Sequence, residues 1–117
     1  MSPRLQTRRY EEFHVLCFNR RNILLGDVQV ADGSIDACSV DPREVFAPAL
    51  AMKAFAIILA HNHSSGNPTP RKPDLLLTNQ LGQGVRLLGL THLDHIVIGD
   101  NGNYWSIRQH DQLDTVP

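Results

Sequence analysis

Residues 61–74 read HNHSSGNPTPRKPD, with two histidines at the start and an aspartate at the end. In an extended segment, residues two apart point to the same side, so His61 and His63 can present their imidazoles to one point. Asp74 enters a helical stretch, and steps of three, four and seven from it reach Leu77, Thr78 and Leu81. That spacing sets its carboxylate beside an inward-facing stripe. Two imidazoles and a carboxylate make three ligands, which is how a catalytic zinc is usually held, with water in the fourth position. Zinc lowers the pKa of such a water from about 15.7 toward ~7, and a general base must then lie within hydrogen-bond reach of it. An HxH pair alone is a weak signal and also occurs as ordinary polar residues. The strand-end placement, the Gly-containing loop and the helical acid favour the metal here.

The surrounding elements must deliver these groups. Ala54–Ala60 (AFAIILA) is a continuous apolar run of strand length, read as a central strand covered on both faces. It carries the histidines at its C-terminal end. Ahead of it, Phe13–Phe18 (FHVLCF) and Ile23–Ala31 read as strands joined in a hairpin across Asn19–Asn22. Asp41-Pro42-Arg43-Glu44 is a helix start, with Asp41 as cap, Pro42 at the first position and Glu44 where a capping box wants an acid. The helix is expected to run toward Lys53 with a kink or early break at Pro48, whose ring lacks the N–H that would bond back to Glu44. After Pro73, apolar residues at 77, 81, 85 and 88 mark a second helix, weakened by Gly82 and Gly84. Leu93–Ile98 and Tyr104–Ile107 are the closing strands around the turn Asp100–Asn103. The order β-β-α-β-α-β-β implies an α/β (α+β) domain, a mixed sheet flanked by helices. Residues 1–10 read as an arm, 11–108 as the domain and 109–117 as a tail.

Composition narrows the function classes. With 117 residues, one core is available, and 42% hydrophobic with 20% charged residues is ordinary globular usage. A net charge of −1 offers no broad field for nucleic acid or anionic membrane, and Arg8-Arg9 and Arg20-Arg21 read as solvated pairs. The N-terminus shows no apolar signal region, and no run approaches the ~18 residues that span a membrane. A cytoplasmic setting is expected. Cys17 and Cys38 form no CxxC arrangement and read as buried thiols of a reducing compartment.

The string HNHSSGNPTPRKPD also resembles the HxH–x10–D signature of JAB/MPN metalloprotease-like domains, the JAMM motif. With DPREVFAPAL, AIILAHNHSSGNPTP and LDHIVIGDNG beside it, the chain is similar to the C-terminal domain of bacterial RadC proteins from about Glu11 to Ile107. The resemblance implies a cytidine-deaminase-like, three-layer fold with Zn2+ on His61, His63 and Asp74, and a peptidase or isopeptidase type of site. The family's remote catalytic glutamate precedes the first apolar strand. Aligning that strand on Phe13, Val15 and Leu16 favours Glu11, with Glu12 as the alternative. Three positions depart from the pattern. Arg71 stands where the motif has a serine that steadies the tetrahedral intermediate, three residues before the acid. Ser64 replaces a usual proline, and Pro48 is atypical. Arg71 could stabilise an oxyanion, and Ser65 and Thr69 are nearby hydroxyls. Asp94 and His95 match the family too. They read either as core polar residues satisfied by backbone or as groups that orient a ligand histidine. His14, His92 and His110 read as surface or edge residues, and Trp105 as core packing.

Three functions follow as expectations. The first is a zinc metallohydrolase that cleaves an amide in a peptide or protein substrate, with Glu11 as base. The second is a binding or scaffold module of the same fold, impaired by Arg71. The third, ranked lowest, is DNA association, prompted by the RadC family's DNA-repair attribution. The helix-hairpin-helix segment of many longer relatives is not in this sequence, and the charge is unsuited to phosphate neutralisation. A homodimer is an open expectation.

Overall fold

A computed structural model describes residues 11–33 and 40–110. Cys38, the arm 1–10 and residues 111–117 of the tail lie outside the described residues. The strands are β1 (Glu11–Phe18), β2 (Leu24–Gly33), β3 (Ala56–Asn62), β4 (Thr91–Ile98) and β5 (Tyr104–Ser106), and the helices are α1 (Pro42–Ala51) and α2 (Lys72–Leu87). They form one mixed five-stranded sheet in the order β2-β1-β3-β4-β5. Among the described residues, only β3 and β4 pair in parallel. Because α2 connects them, it must cross over the sheet, and this places its N-terminus at the end of β3 where the histidines emerge.

Alternation along β1 and β3 builds the core. Phe13, Val15 and Cys17 pair across to His61, Leu59 and Ile57, so all six share a face. Val45, Phe46 and Ala49 of α1 and Leu77, Leu81 and Val85 of α2 pack on that face, and these apolar residues form one buried cluster with Phe13, Val15, Ile57 and Leu59. The inward stripe of α2 is as its spacing implies, except that Leu88 caps the helix and is exposed. Cys17 is a free, fully buried thiol, and burial pushes its pKa up.

Some boundaries and one break differ from expectation. β1 begins at Glu11, so both candidate acids lie inside the strand rather than before it. β3 extends to Asn62 and takes in His61. α1 runs unbroken through Pro48. The proline removes one bond, to Glu44, whose exposed position leaves its carbonyl to water, while buried Val45, Phe46 and Ala49 hold the helix by packing. The Asp41 cap is as expected, its carboxylate accepting from the Arg43 N–H at 2.9 Å.

Candidate metal centre

His61 is held as part of β3, paired between Phe13 of β1 and Val97 of β4. Its ring stacks on Phe13 with centroids 5.6 Å apart. His63 follows the strand, and its N–H donates to the Ile98 carbonyl at 3.0 Å. Its Nδ1 meets the Asn67 carbonyl at 2.9 Å. A carbonyl only accepts, so Nδ1 carries a proton, and Nε2 faces the Asp74 carboxylate. Asp74 lies in the first turn of α2, where a carboxylate suits the positive end of the helix dipole. Its Oδ2 accepts from the Arg71 N–H at 2.6 Å. The loop between them is fastened to the turn after β4, with the Asp100 N–H donating to the Gly66 carbonyl at 2.8 Å.

These elements bring the three side chains to one point. His61 Nε2 lies 3.2 Å from Asp74 Oδ1, and His63 Nε2 lies 2.8 Å from Asp74 Oδ2. All three residues are buried, and one ligand atom from each falls within 4.8 Å of the others. His61 Nε2 and Asp74 Oδ1 are buried without a hydrogen-bond partner. Leaving such atoms unsatisfied costs about 1–3 kcal/mol each, and a cation bound between them would satisfy both. Two imidazoles and a carboxylate are the donor types zinc takes, so the residues fit a metal.

Burial and mutual pairing act in opposite directions on these three groups. Burial would raise the Asp74 carboxyl, yet the facing His61 and His63 imidazoles hold it well below the usual carboxylate range. Burial lowers His61 against the pull of Asp74. Burial also lowers His63, but Asp74 and the Asn67 carbonyl outweigh it and leave the ring above its ordinary value.

Beneath His61, a chain of contacts runs into the core. His61 Nδ1 lies 2.8 Å from His95 Nε2, and His95 Nδ1 lies 2.5 Å from Thr78 Oγ1. Thr78 Oγ1 donates to the Asp74 carbonyl at 2.8 Å. His95 and His61 are fully buried. Burial, then the neighbouring His61 and His92, pushes His95 well below its ordinary value. Asp94, by contrast, faces away. Its carboxylate accepts from the His95 and Arg108 N–H groups at 2.7 and 3.0 Å and from Ser106 Oγ at 2.5 Å, tying β4 to β5 and the segment after it.

The two candidate acids separate by face. Glu11 shares its face with Phe13, and continuing the β1–β3 register sets it across from His63. Its carboxylate accepts from Arg71 Nη2 at 3.0 and 3.3 Å and from the Ser64 N–H at 3.3 Å. Glu12 turns to the opposite face, where its Oε1 meets His14 Nε2 at 2.9 Å. His14 Nδ1 in turn meets Asp27 Oδ1 at 2.6 Å. His14 is therefore a buried ring between two carboxylates, not a surface residue, because the hairpin register brings Asp27 to it. Ser65 and Thr69 are exposed and brace their own loop, through Ser65 Oγ with the Asn67 N–H at 3.3 Å and the Thr69 N–H with Asn67 Oδ1 at 3.0 Å. Trp105 is partly exposed rather than core, stacked on His110 with centroids 3.6 Å apart. Spacing sets Thr78 on the inward stripe of α2 but gives it no role, and it does not single out Asn62. Asn62 Oδ1 accepts from the Glu12 N–H at 2.7 Å and so pins the acidic end of β1 to the histidine strand.

Comparison with known proteins agrees with this arrangement. Residues 1–113 match the RadC-like JAB domain. A UPF0758 protein of Symbiobacterium thermophilum is 42% identical over 97% of this chain and 48% of its own length. One from Methanosarcina barkeri is 40% identical over 92% of this chain and 47% of its own. Another, from Rhodobacter capsulatus, is 46% identical over 76% and 42% respectively. The chain thus spans about half the length of these relatives. On these matches the chain belongs to the RadC-like JAB domain family.

Proposed function

We propose that this domain is a zinc-dependent hydrolase of the JAMM type that cleaves a peptide or isopeptide amide in the cytoplasm. The observation that carries the reading is the convergence of His61, His63 and Asp74, with two of the facing atoms buried and unpartnered. A bound zinc supplies Lewis-acid polarisation and a water acidified toward neutral pH. His61, His63 and Asp74 would hold it. Glu11, at the rim on the same face as His61, would accept the proton of the attacking water and return it to the leaving amine.

Metal content tests the reading. Protein purified without chelators should carry one zinc per chain by mass spectrometry, lost in His63→Ala. A metal-free wild type that also fails to take up added zinc rejects it.

A second reading is favoured by one specific feature. Two of the three departures from the family pattern, Arg71 and Ser64, donate to the Glu11 carboxylate. A proline at 64 would have no N–H to give. A base held this way suits a binding module that keeps the fold and the metal without turnover.

A further inference from the structure

We propose, resting on the metal-site reading above, that Thr78 and His95 are positioning residues that dictate which nitrogen of His61 faces the metal. The direction of the relay follows from counting protons. Thr78 has one hydroxyl proton and two partners, the Asp74 carbonyl at 2.8 Å and His95 Nδ1 at 2.5 Å. The carbonyl can only accept, so the hydroxyl proton goes there, a common back-bond of threonine within a helix. Thr78 Oγ1 must then accept from His95, which places the His95 proton on Nδ1. Nε2 of His95 is left with a lone pair and must accept from His61 Nδ1, 2.8 Å away. With its proton on Nδ1, His61 turns a bare Nε2 toward Asp74, and that atom, like His92 Nε2, is buried without a hydrogen-bond partner.

Each link is fixed by packing. His61 and His95 have no exposed surface and Thr78 is 2% exposed, so no water competes for these atoms. Phe13 confines both rings, stacked on His61 at 5.6 Å and edge-on to His95 at 5.5 Å. His63 Nδ1 donates separately to the Asn67 carbonyl, which leaves its Nε2 toward Asp74. The relay also joins two ligands, because it begins at the backbone of Asp74 and ends at His61. Helix α2 therefore supplies one ligand directly and sets the tautomer of another through β4.

Histidine tautomers read by two-bond 1H–15N correlation in metal-free wild type test the relay without any variant. His95 should carry its proton on Nδ1. A proton on Nε2 would reverse the relay and overturn the proposal. Zinc affinity, measured by competition with a chromophoric chelator, should fall about 10-fold or more in Thr78→Val, within the usual effect of removing such a support. Thr78→Ser should restore it. A Thr78→Val protein that folds by circular dichroism and binds zinc as tightly as wild type overturns the proposal as well. If wild type binds no zinc at all, the metal reading fails while the tautomer spectra still decide the relay.

Discussion

Arg71 and Glu11 lie 60 residues apart in the chain and meet at 3.0 Å. The Arg71 side chain is 51% exposed, and a pair open to solvent on one side is worth at most ~1 kcal/mol. Having to break this pair would thus slow a reaction by no more than about fivefold. Arg71→Ser is expected to change amide hydrolysis by less than tenfold, measured on fluorogenic peptide and isopeptide substrates. Cleavage that appears only in the variant would instead favour the binding-module reading. At this scale the ligand set was legible, since HxH followed by a helical acid encodes its own geometry. The partner of Glu11 was not, because a contact across 60 residues depends on how the loop returns. His14 was misread for the same reason, its meaning depending on Asp27 across a hairpin.

Among the elements, β4 carries the least legible feature. Its pairing with β3 slips between Ile57 and Ile58, so that Ile57 faces His92 while Ile58 faces Asp94. A one-residue slip turns every later side chain to the opposite face. The slip is what sets His95 opposite Leu59, on the face of His61, and sends Asp94 away to β5. Adjacent Asp94 and His95 therefore look equally eligible in the sequence, and a bulge separates them. The glycines of α2 also have a role that propensity hides. A Cβ on Gly84 would lie 2.6 Å from the Phe46 ring of α1, so the glycine permits the two helices to approach. Gly84→Ala gains ~1 kcal/mol of helix propensity against an overpacking cost of about 1–3 kcal/mol. A net loss of ~1 kcal/mol is expected in urea denaturation, and a stabilised variant would refute the packing role.

Seen whole, the molecule has two unlike ends. The C-terminal end of β3 and the start of α2 build the candidate metal centre. At the other end, Asn19, Arg20, Arg21, Lys53, Ala54, Phe55 and Gly89 line an open concavity of about 500 Å³. Both helices finish there, and cations at helix C-termini complement the dipole. Arg20 lies over the Phe55 ring at 4.5 Å. Since the ligands come from β3, its following loop and α2, a bound ion ties the central strand to its crossover and should report on global stability. A ligand at about 100 times its Kd adds ~2.7 kcal/mol, which for a domain near this size is on the order of 10 °C. Adding a strong chelator to zinc-loaded protein should lower the melting temperature by that amount, and should leave His63→Ala unmoved. An unchanged wild-type melting curve would mean that no tightly held ion supports the fold. The mixed sheet flanked by helices was readable in the order of apolar runs, whereas this link between ion and architecture needed the topology.

A Cβ on Gly99 would sit 2.3 Å from the Gly66 carbonyl oxygen, and one on Gly66 would strike the Asp100 carboxylate. With the His63 and Asp100 amides bonded across the same seam, the histidine loop and the hairpin turn behave as one stiff lip. Under the proposed hydrolase function, an extended substrate would gain little freedom by pushing on that side. It would enter over the opposite rim, where the half-exposed Arg71 guanidinium is held by side-chain contacts alone.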